Sequence, residues 1–347
     1  MRKNCRMNIS YGRRLRMSNA VEKFRKDCVV SDTERDAGLK TPEDVERFDD
    51  IQYGPDEKWN VLDVYLPKER IKTGERPEGR GLSKEEGWSG KGSLSGKEED
   101  GLPVIVSVHG GGWVYGDKEL YQFYCMSLAQ RGFAVVNFTY RLAPEHKYPA
   151  QMEDVNRVME WIFQNGESFG FDLESVFLVG DSAGAHLAGI YSCICTNAAY
   201  AAAYPFRVPN GFMPKALALN CGIYVPVPTG DVPALVHEQV NDLPGELMPG
   251  GCTKEEAELI DVTKYITSAF PPAFIMTATE DFCRPQATYL EKVLKEIGVP
   301  HVYKIYGEED QPLQHVFHVD MRNEAGRICN DEECAFFREF LQDGRKE

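Results

Sequence analysis

The strongest constraint on the fold is an alternation. Short runs rich in apolar and β-branched residues, VIVSVH (104–109), FAVVNF (133–138), SVFLVG (175–180), KALALN (215–220), AFIMTA (273–278) and VYKIY (302–306), are separated by stretches long enough to hold a helix. Parallel strands require such a crossover, whereas hairpins need only a tight turn. Two of the intervening stretches carry helical period: Val155, Val158, Met159 and Ile162 precede Gly166, and Leu290, Val293, Leu294 and Ile297 precede Gly298. Each set falls at i, i+3, i+4 and i+7 and ends on a glycine stop. Upstream, IQYG and VLDVYLP read as a strand pair that extends the sheet in the antiparallel sense, with Pro67 ending it. The expected class is α/β, a mostly parallel eight-stranded sheet flanked by helices.

Two regions break the pattern. Residues 71–102 hold eight glycines and many charges with almost no apolar periodicity, which predicts a flexible surface loop. Residues 225–264 are rich in proline and glycine but contain the helical TKEEAELIDV, and they interrupt the strand order where a cap over a site can be inserted. The domain reading is an N-terminal helical arm or cap over 1–50 and a catalytic domain over 51–347.

Charge narrows the partners. The chain of 347 residues carries −15 overall. Residues 1–27 hold nine Lys or Arg against Glu22 and Asp27, a net of +7, which leaves −15 − 7 = −22 on the remainder. So acidic a body repels nucleic acid, and the basic start lacks the apolar stripe of a membrane arm. No apolar run approaches the roughly 20 residues of a membrane helix, and no h-region follows the N-terminal charges. Ten scattered cysteines form no CxxC pair and sit near no histidine at zinc-ligand spacing. They read as reduced thiols, which places the protein in the cytoplasm.

The chemistry enters at FLVGDSAGAHLAG, 177–189. A strand runs into a serine bracketed by Gly180 and Gly184 and continues as a helix, the context of a nucleophile elbow. Side chains at 180 or 184 would collide with the neighbouring strand and helix, and Ser182 would stand lifted off the sheet. Asp181 follows from the turn and has no chemical role in this reading. Acyl transfer also needs N–H donors for a developing oxyanion. VHGGGWVYGD directly follows the strand VIVSV, so Gly110 and Gly111 can turn bare N–H groups to the site, joined by the N–H of Ala183. A phosphate loop would want a lysine followed by Ser or Thr, and neither occurs here.

Three blocks now carry a resemblance: HGGGW (109–113), YRLAPEHKYPAQMED (140–154) and GDSAG (180–184). In this order and spacing the chain resembles the hormone-sensitive-lipase-like, or family IV, carboxylesterases of the α/β-hydrolase fold, over roughly residues 50–342. The resemblance implies that Arg141, Glu145 and Pro149 brace the loop beneath the site. A triad acid and then a histidine should follow the serine. AFIMTATEDFCRP ends a strand at Asp281, with Glu280 as competitor; the family's aspartate stands just after the strand, two residues before a usually apolar position that is Cys283 here. The family's histidine, any residue, phenylalanine pattern matches His315-Val316-Phe317, whereas His318 lacks it. His237 and His301 have no motif around them, and His315 with His318 is too small a set for a metal.

The resemblance implies a serine carboxylesterase for small, short-acyl esters, with Ser182, Asp281 and His315 as triad and no cofactor or metal. An amidase or arylformamidase with the same triad is the nearer alternative. A noncatalytic small-molecule receptor is the more distant one, because receptors of this family lose the histidine that His315 retains here. A small-molecule ester is the expected partner, nucleic acid and membrane are not, and a homodimer is compatible with the sequence.

Overall fold

The computed structural model describes residues 18–68, 101–209, 211–228, 232 and 238–341. Its strands are β1 (Val45–Gln52), β2 (Val61–Pro67), β3 (Leu102–Val108), β4 (Ala134–Phe138), β5 (Phe171–Asp181), β6 (Leu217–Asn220), β7 (Ala273–Ala278) and β8 (His301–Tyr306). They form one sheet in the order β1-β2-β4-β3-β5-β6-β7-β8. From β4 through β8 the neighbours pair in parallel, while β1 with β2 and β2 with β4 pair antiparallel. The helices are α1 (Asn19–Asp36), α2 (Lys118–Gln130), α3 (Ala150–Asn165), α4 (Ala183–Thr196), α5 (Ala198–Ala201), α6 (Glu238–Asn241), α7 (Leu243–Leu247), α8 (Lys254–Leu259), α9 (Arg284–Ile297) and α10 (Glu324–Arg338).

The central strands are continuous apolar runs because both faces are covered. Every residue of β3 and of β7 is buried. The period-2 alternation divides them: Val104, Val106 and Val108 join a core with Val155, Leu187 and Leu290 of α3, α4 and α9. Ile105 joins the opposite core with Leu128 of α2 and Phe337 of α10. From β3 the chain moves outward to β4 and then crosses back to β5 on the other side. That reversal leaves a crevice at the carboxyl ends of the strands, where α/β sheets bind ligands.

Three boundaries differ from the sequence reading. Among the described residues, the arm assigned to 1–50 is helical over α1, and β1 already begins at Val45; this edge strand is VERFDDIQ, too polar and too exposed to show alternation. The flexible segment assigned to 71–102 ends earlier, since Leu102 is the buried first residue of β3; 71–100 lie outside the described residues, as does the basic start at 1–17. Within 225–264, α8 is closed by a capping box between Thr253 and Glu256, and α6 and α7 precede it. Gly166 and Gly298 stop α3 and α9 as expected, Gly298 at φ 83°. No helix among the described residues is long and apolar enough to cross a membrane, and the nine described cysteines are free thiols.

Candidate active site

Five loops meet at the carboxyl edge of the sheet: those after β3, β5, β6, β7 and β8. Ser182 stands between β5 and α4, as the N-cap of α4, at φ 52°, ψ −116°. A non-glycine residue there is strained, and close packing enforces it. A Cβ on Gly180 would stand 2.5 Å from the Gly184 carbonyl oxygen, and one on Gly184 2.0 Å from that of Val108. Only glycines let the elbow fit against β3. The backbone of Ser182 is pinned as well: its N–H donates to the Asn220 carbonyl at 2.9 Å, and its carbonyl accepts from His186 and Ile223.

Asp281 stands three residues past β7 and is buried. Its Oδ1 accepts from His315 Nδ1 at 2.6 Å and from the Cys283 N–H at 2.9 Å; its Oδ2 accepts from the Thr277 hydroxyl at 2.6 Å. Burial by itself raises a carboxyl pKa, but the bond and charge of His315, with Thr277 and Cys283, hold Asp281 below its ordinary value. Glu280, the competitor, has an exposed side chain. Cys283, where the resemblance led us to expect a larger apolar side chain, is fully buried at the N-terminus of α9. His318 is fully buried, and neither ring nitrogen finds a partner among the described residues. It packs edge-on against Tyr124.

The oxyanion loop requires a correction. The Gly110 N–H is not available to a ligand, because it donates to the Tyr121 hydroxyl at 3.0 Å, and that hydroxyl donates to Asp181 Oδ2 at 2.8 Å. Gly110 and Asp181 are thus anchors. Gly111 (φ 99°) and Gly112 (φ 60°) follow in conformations that favour glycine, and among the described residues neither N–H has a protein acceptor. Ala183, the first residue of α4, has the free N–H of any helix start. His109 stiffens the loop from behind, stacked on Tyr140 at 4.0 Å and donating Nδ1–H to the Gly110 carbonyl. Tyr121→Phe should leave the Gly110 N–H buried without a partner and take from Asp181 the hydroxyl it accepts from. The expected cost is about 1–3 kcal/mol of stability, with kcat/KM down by up to about 10²-fold through displacement of the loop; urea unfolding and steady-state kinetics check both.

Donor atoms of Cys221, Asp281 and His315 lie within 4.8 Å of one another. The 2.6 Å between Nδ1 and Oδ1 is a hydrogen-bond length. Two ligands on one tetrahedral zinc, each about 2.0–2.2 Å from it, would stand about 3.3 Å apart. A shared proton fits this gap and a metal does not.

With this geometry in place, the profile of the α/β-hydrolase fold matches residues 105–319. The chain belongs to the α/β-hydrolase family. It is 30% identical over 213 residues to carboxylesterase NlhH of Mycobacterium tuberculosis, a match covering 58% of this chain and 63% of that one. It therefore spans somewhat under two thirds of that relative's length. A shorter match, 44% over 89 residues and covering 24% and 22% of the two chains, is to arylacetamide deacetylase of Bos taurus. Among solved structures, Esterase B of Lactobacillus rhamnosis superposes with a TM-score of 0.75 at 25% identity, over 92% of this chain and 93% of that one.

In this α/β hydrolase the brace is more than a local loop. Arg141 is clamped by Asp154 and Glu153 of α3, and Pro149 precedes that helix. Glu145 pairs instead with Arg25 of α1, whose guanidinium also donates to the Val114 and Ala143 carbonyls. A second tie joins elbow and cap: Trp113 Nε1–H donates to His186 Nδ1, so His186 Nε2–H donates to the Ile260 carbonyl at 2.8 Å. Neither long-range pairing left a signal in the sequence.

The buried titratable groups around this hydrolase's site should make it less stable in acid. Burial lowers His109 and His186 to about 4 and His318 to about 3. All three stay neutral in the fold, whereas in the unfolded chain they protonate near about 6.5, so each loses stability as the pH falls from there toward its folded value. Burial raises Asp181 to about 6 and Glu333 to about 7. These two favour the fold at low pH and lose that contribution as the pH rises through 6 and 7. Between about pH 5 and 6 the two sets largely offset. Through about pH 4.5 the unfolded carboxyls also take up protons, but so do the folded histidines; the unfolded chain keeps an excess of about one proton, and unfolding free energy should fall by about 1–2 kcal/mol per pH unit. Urea unfolding from pH 7 to 4 reads this; a flat profile would contradict the neutral burial of these histidines.

Proposed function

We propose that the protein is a serine carboxylesterase that hydrolyses small, short-acyl esters through Ser182, His315 and Asp281 and an acyl-enzyme intermediate. The observation that carries the reading is the 2.6 Å bond from His315 to Asp281 at the strand edge that also bears Ser182. With Nδ1–H given to Asp281, Nε2 is left as the base. It takes the proton of Ser182 as Oγ attacks the ester carbonyl, and Asp281, kept ionised, stabilises the imidazolium. The N–H groups of Gly111 and Ala183, with Gly112 replacing Gly110, receive the oxyanion, each worth about 2.7–4 kcal/mol. His315 then hands its proton to the departing alcohol. Water, deprotonated by His315, attacks the acyl-enzyme, and the acid leaves with Ser182 restored.

The names of carboxylesterase NlhH and Esterase B support an ester as substrate. The neighbourhood of the loop is apolar: a Cβ on Gly112 would meet Leu243 of α7 at 2.5 Å and Phe24 of α1 at 3.3 Å, so both close on it. The match to arylacetamide deacetylase favours a second reading, amide hydrolysis by the same steps with an amine as leaving group. A series of p-nitrophenyl esters from acetyl to dodecanoyl, run beside p-nitroacetanilide and N-formylkynurenine, tests both. The expected result is the highest kcat/KM between acetyl and hexanoyl. Preference for the anilide or the formamide would replace the ester reading, and no turnover of any of them would end it.

A further inference from the structure

Two successive residues hold the His315 ring, one by its edge and one by its face. Asp281 takes the edge, accepting from Nδ1 at 2.6 Å. Phe282 covers the face: the two ring centres stand 4.1 Å apart with their planes tilted by 38°. By comparison the edge-on pair of Tyr124 and His318 stands at 5.2 Å and 88°, so the shorter distance and smaller angle put His315 over the face of Phe282. The same turn delivers both contacts. Cys283, the residue after Phe282, is the N-cap of α9 and donates its N–H at 2.9 Å to the Asp281 oxygen that also receives His315. Phe282 itself is half-buried and packs against the core that holds Leu290 of α9.

An aromatic face carries negative charge density and attracts a cation above it, more strongly away from water. As the base His315 is neutral, and it becomes a cation when Ser182 Oγ passes its proton to Nε2. Only 20% of its side chain is exposed. The face of Phe282 therefore interacts better with the state that develops in the transition state than with the one that precedes it. We infer that Phe282 is a positioning residue for the reaction proposed above, its ring face steadying the His315 imidazole and favouring the imidazolium over the neutral base. The inference rests on the Ser182–His315–Asp281 reading. Phe282 moves no proton and acts through His315, not on the ester. The titratable groups around that ring are Asp281, Asp181, Cys221 and His318, and all four stay in place in every variant below.

Phe282→Leu and Phe282→Tyr of the full chain, assayed with p-nitrophenyl butyrate from pH 5 to 9, test this. Leucine keeps an apolar cover and loses the π face, so the acid limb of kcat/KM should move to lower pH by about 0.5 unit and kcat should fall about 3-fold with KM unchanged. Tyrosine keeps the face, and its limb should stay with that of wild type. Two simpler roles give other results. Were Phe282 only a shield against water, the smaller leucine would let the imidazolium hydrate and the limb would move up. Were it only a wall for substrate, KM would rise and the limb would stay. Either result, or a tyrosine variant that behaves as the leucine one does, overturns the inference. Should Phe282→Leu fail to fold, a ring-trifluorinated phenylalanine introduced at 282 decides, since it keeps the shape and withdraws charge density from the face: a downward limb supports the inference and an unmoved limb overturns it. Titration of the His315 ring by NMR in a Ser182→Ala background reads the same shift without turnover, and Phe282→Leu should lower the pKa there by about 0.5 unit. That background also separates the two levels, because retained activity of Ser182→Ala sinks the triad reading itself, whereas an inactive Ser182→Ala with an unmoved His315 titration sinks only this inference.

Discussion

Ser182→Ala is expected to lower kcat by about 10⁶-fold, close to 8 kcal/mol of transition-state stabilisation, while the protein stays folded. The size follows from the reaction proposed: without Oγ no acyl-enzyme forms, and His315 has no proton to move. Folding should tolerate the change. What pins the elbow is the backbone of Ser182, through Asn220, His186 and Ile223, together with the glycines at 180 and 184. Alanine keeps the Cβ and every one of those bonds. The check pairs single-turnover kinetics with near-UV circular dichroism; retained turnover would remove Ser182 from the chemistry.

The second largest effect is expected at the pair behind it. His315→Ala and Asp281→Asn should each lower kcat by at least about 10³-fold. Asparagine at 281 presents an amide where His315 needs an acceptor, so the ring turns or takes the wrong tautomer and Nε2 no longer faces the serine as a base. Combining His315→Ala with Ser182→Ala should add almost nothing to either alone, because groups that act as one unit are non-additive. A multiplicative loss would make His315 an independent binding residue. Glu280→Gln should leave kcat nearly unchanged, since that side chain is exposed. His318→Ala, by contrast, should cost about 2–4 kcal/mol of stability by opening a cavity, with little change in kcat.

Much of this was legible because the informative segments are local and buried. The runs that became β3 to β7 are largely buried on both faces, so each announces itself without its neighbours, and the edge strand β8 shows by its β-branched and aromatic residues. The elbow and the glycine loop are likewise contiguous and bounded by strand and helix. Of the edge strand β1 only the end, in IQYG, was legible; its polar start hid because only one of the eight residues of the strand, Val45, is buried. Helices α6, α7 and α8, of four to six residues, are too short to show a 3.6-residue period. Other features depend on pairs far apart in sequence: Arg25 on Glu145, His186 on Ile260, and Cys221 beside Asp281 and His315. The choice between Gly110 and Gly112 belongs with these. Adjacent glycines look alike in sequence, and what separates them is a tyrosine hydroxyl eleven residues on, which occupies the first N–H.

The central claim is that Ser182 carries the acyl group, and a covalent trap reads it most directly. The protein is incubated with a small alkyl p-nitrophenyl phosphonate, which mimics the tetrahedral intermediate and stays on the nucleophile, and is then digested for mass spectrometry. The account predicts one equivalent of phosphonyl adduct, located on Ser182, formed quickly in wild type, slowly in His315→Ala and not at all in Ser182→Ala. An adduct on any other residue, or undiminished labelling of Ser182→Ala, would contradict it.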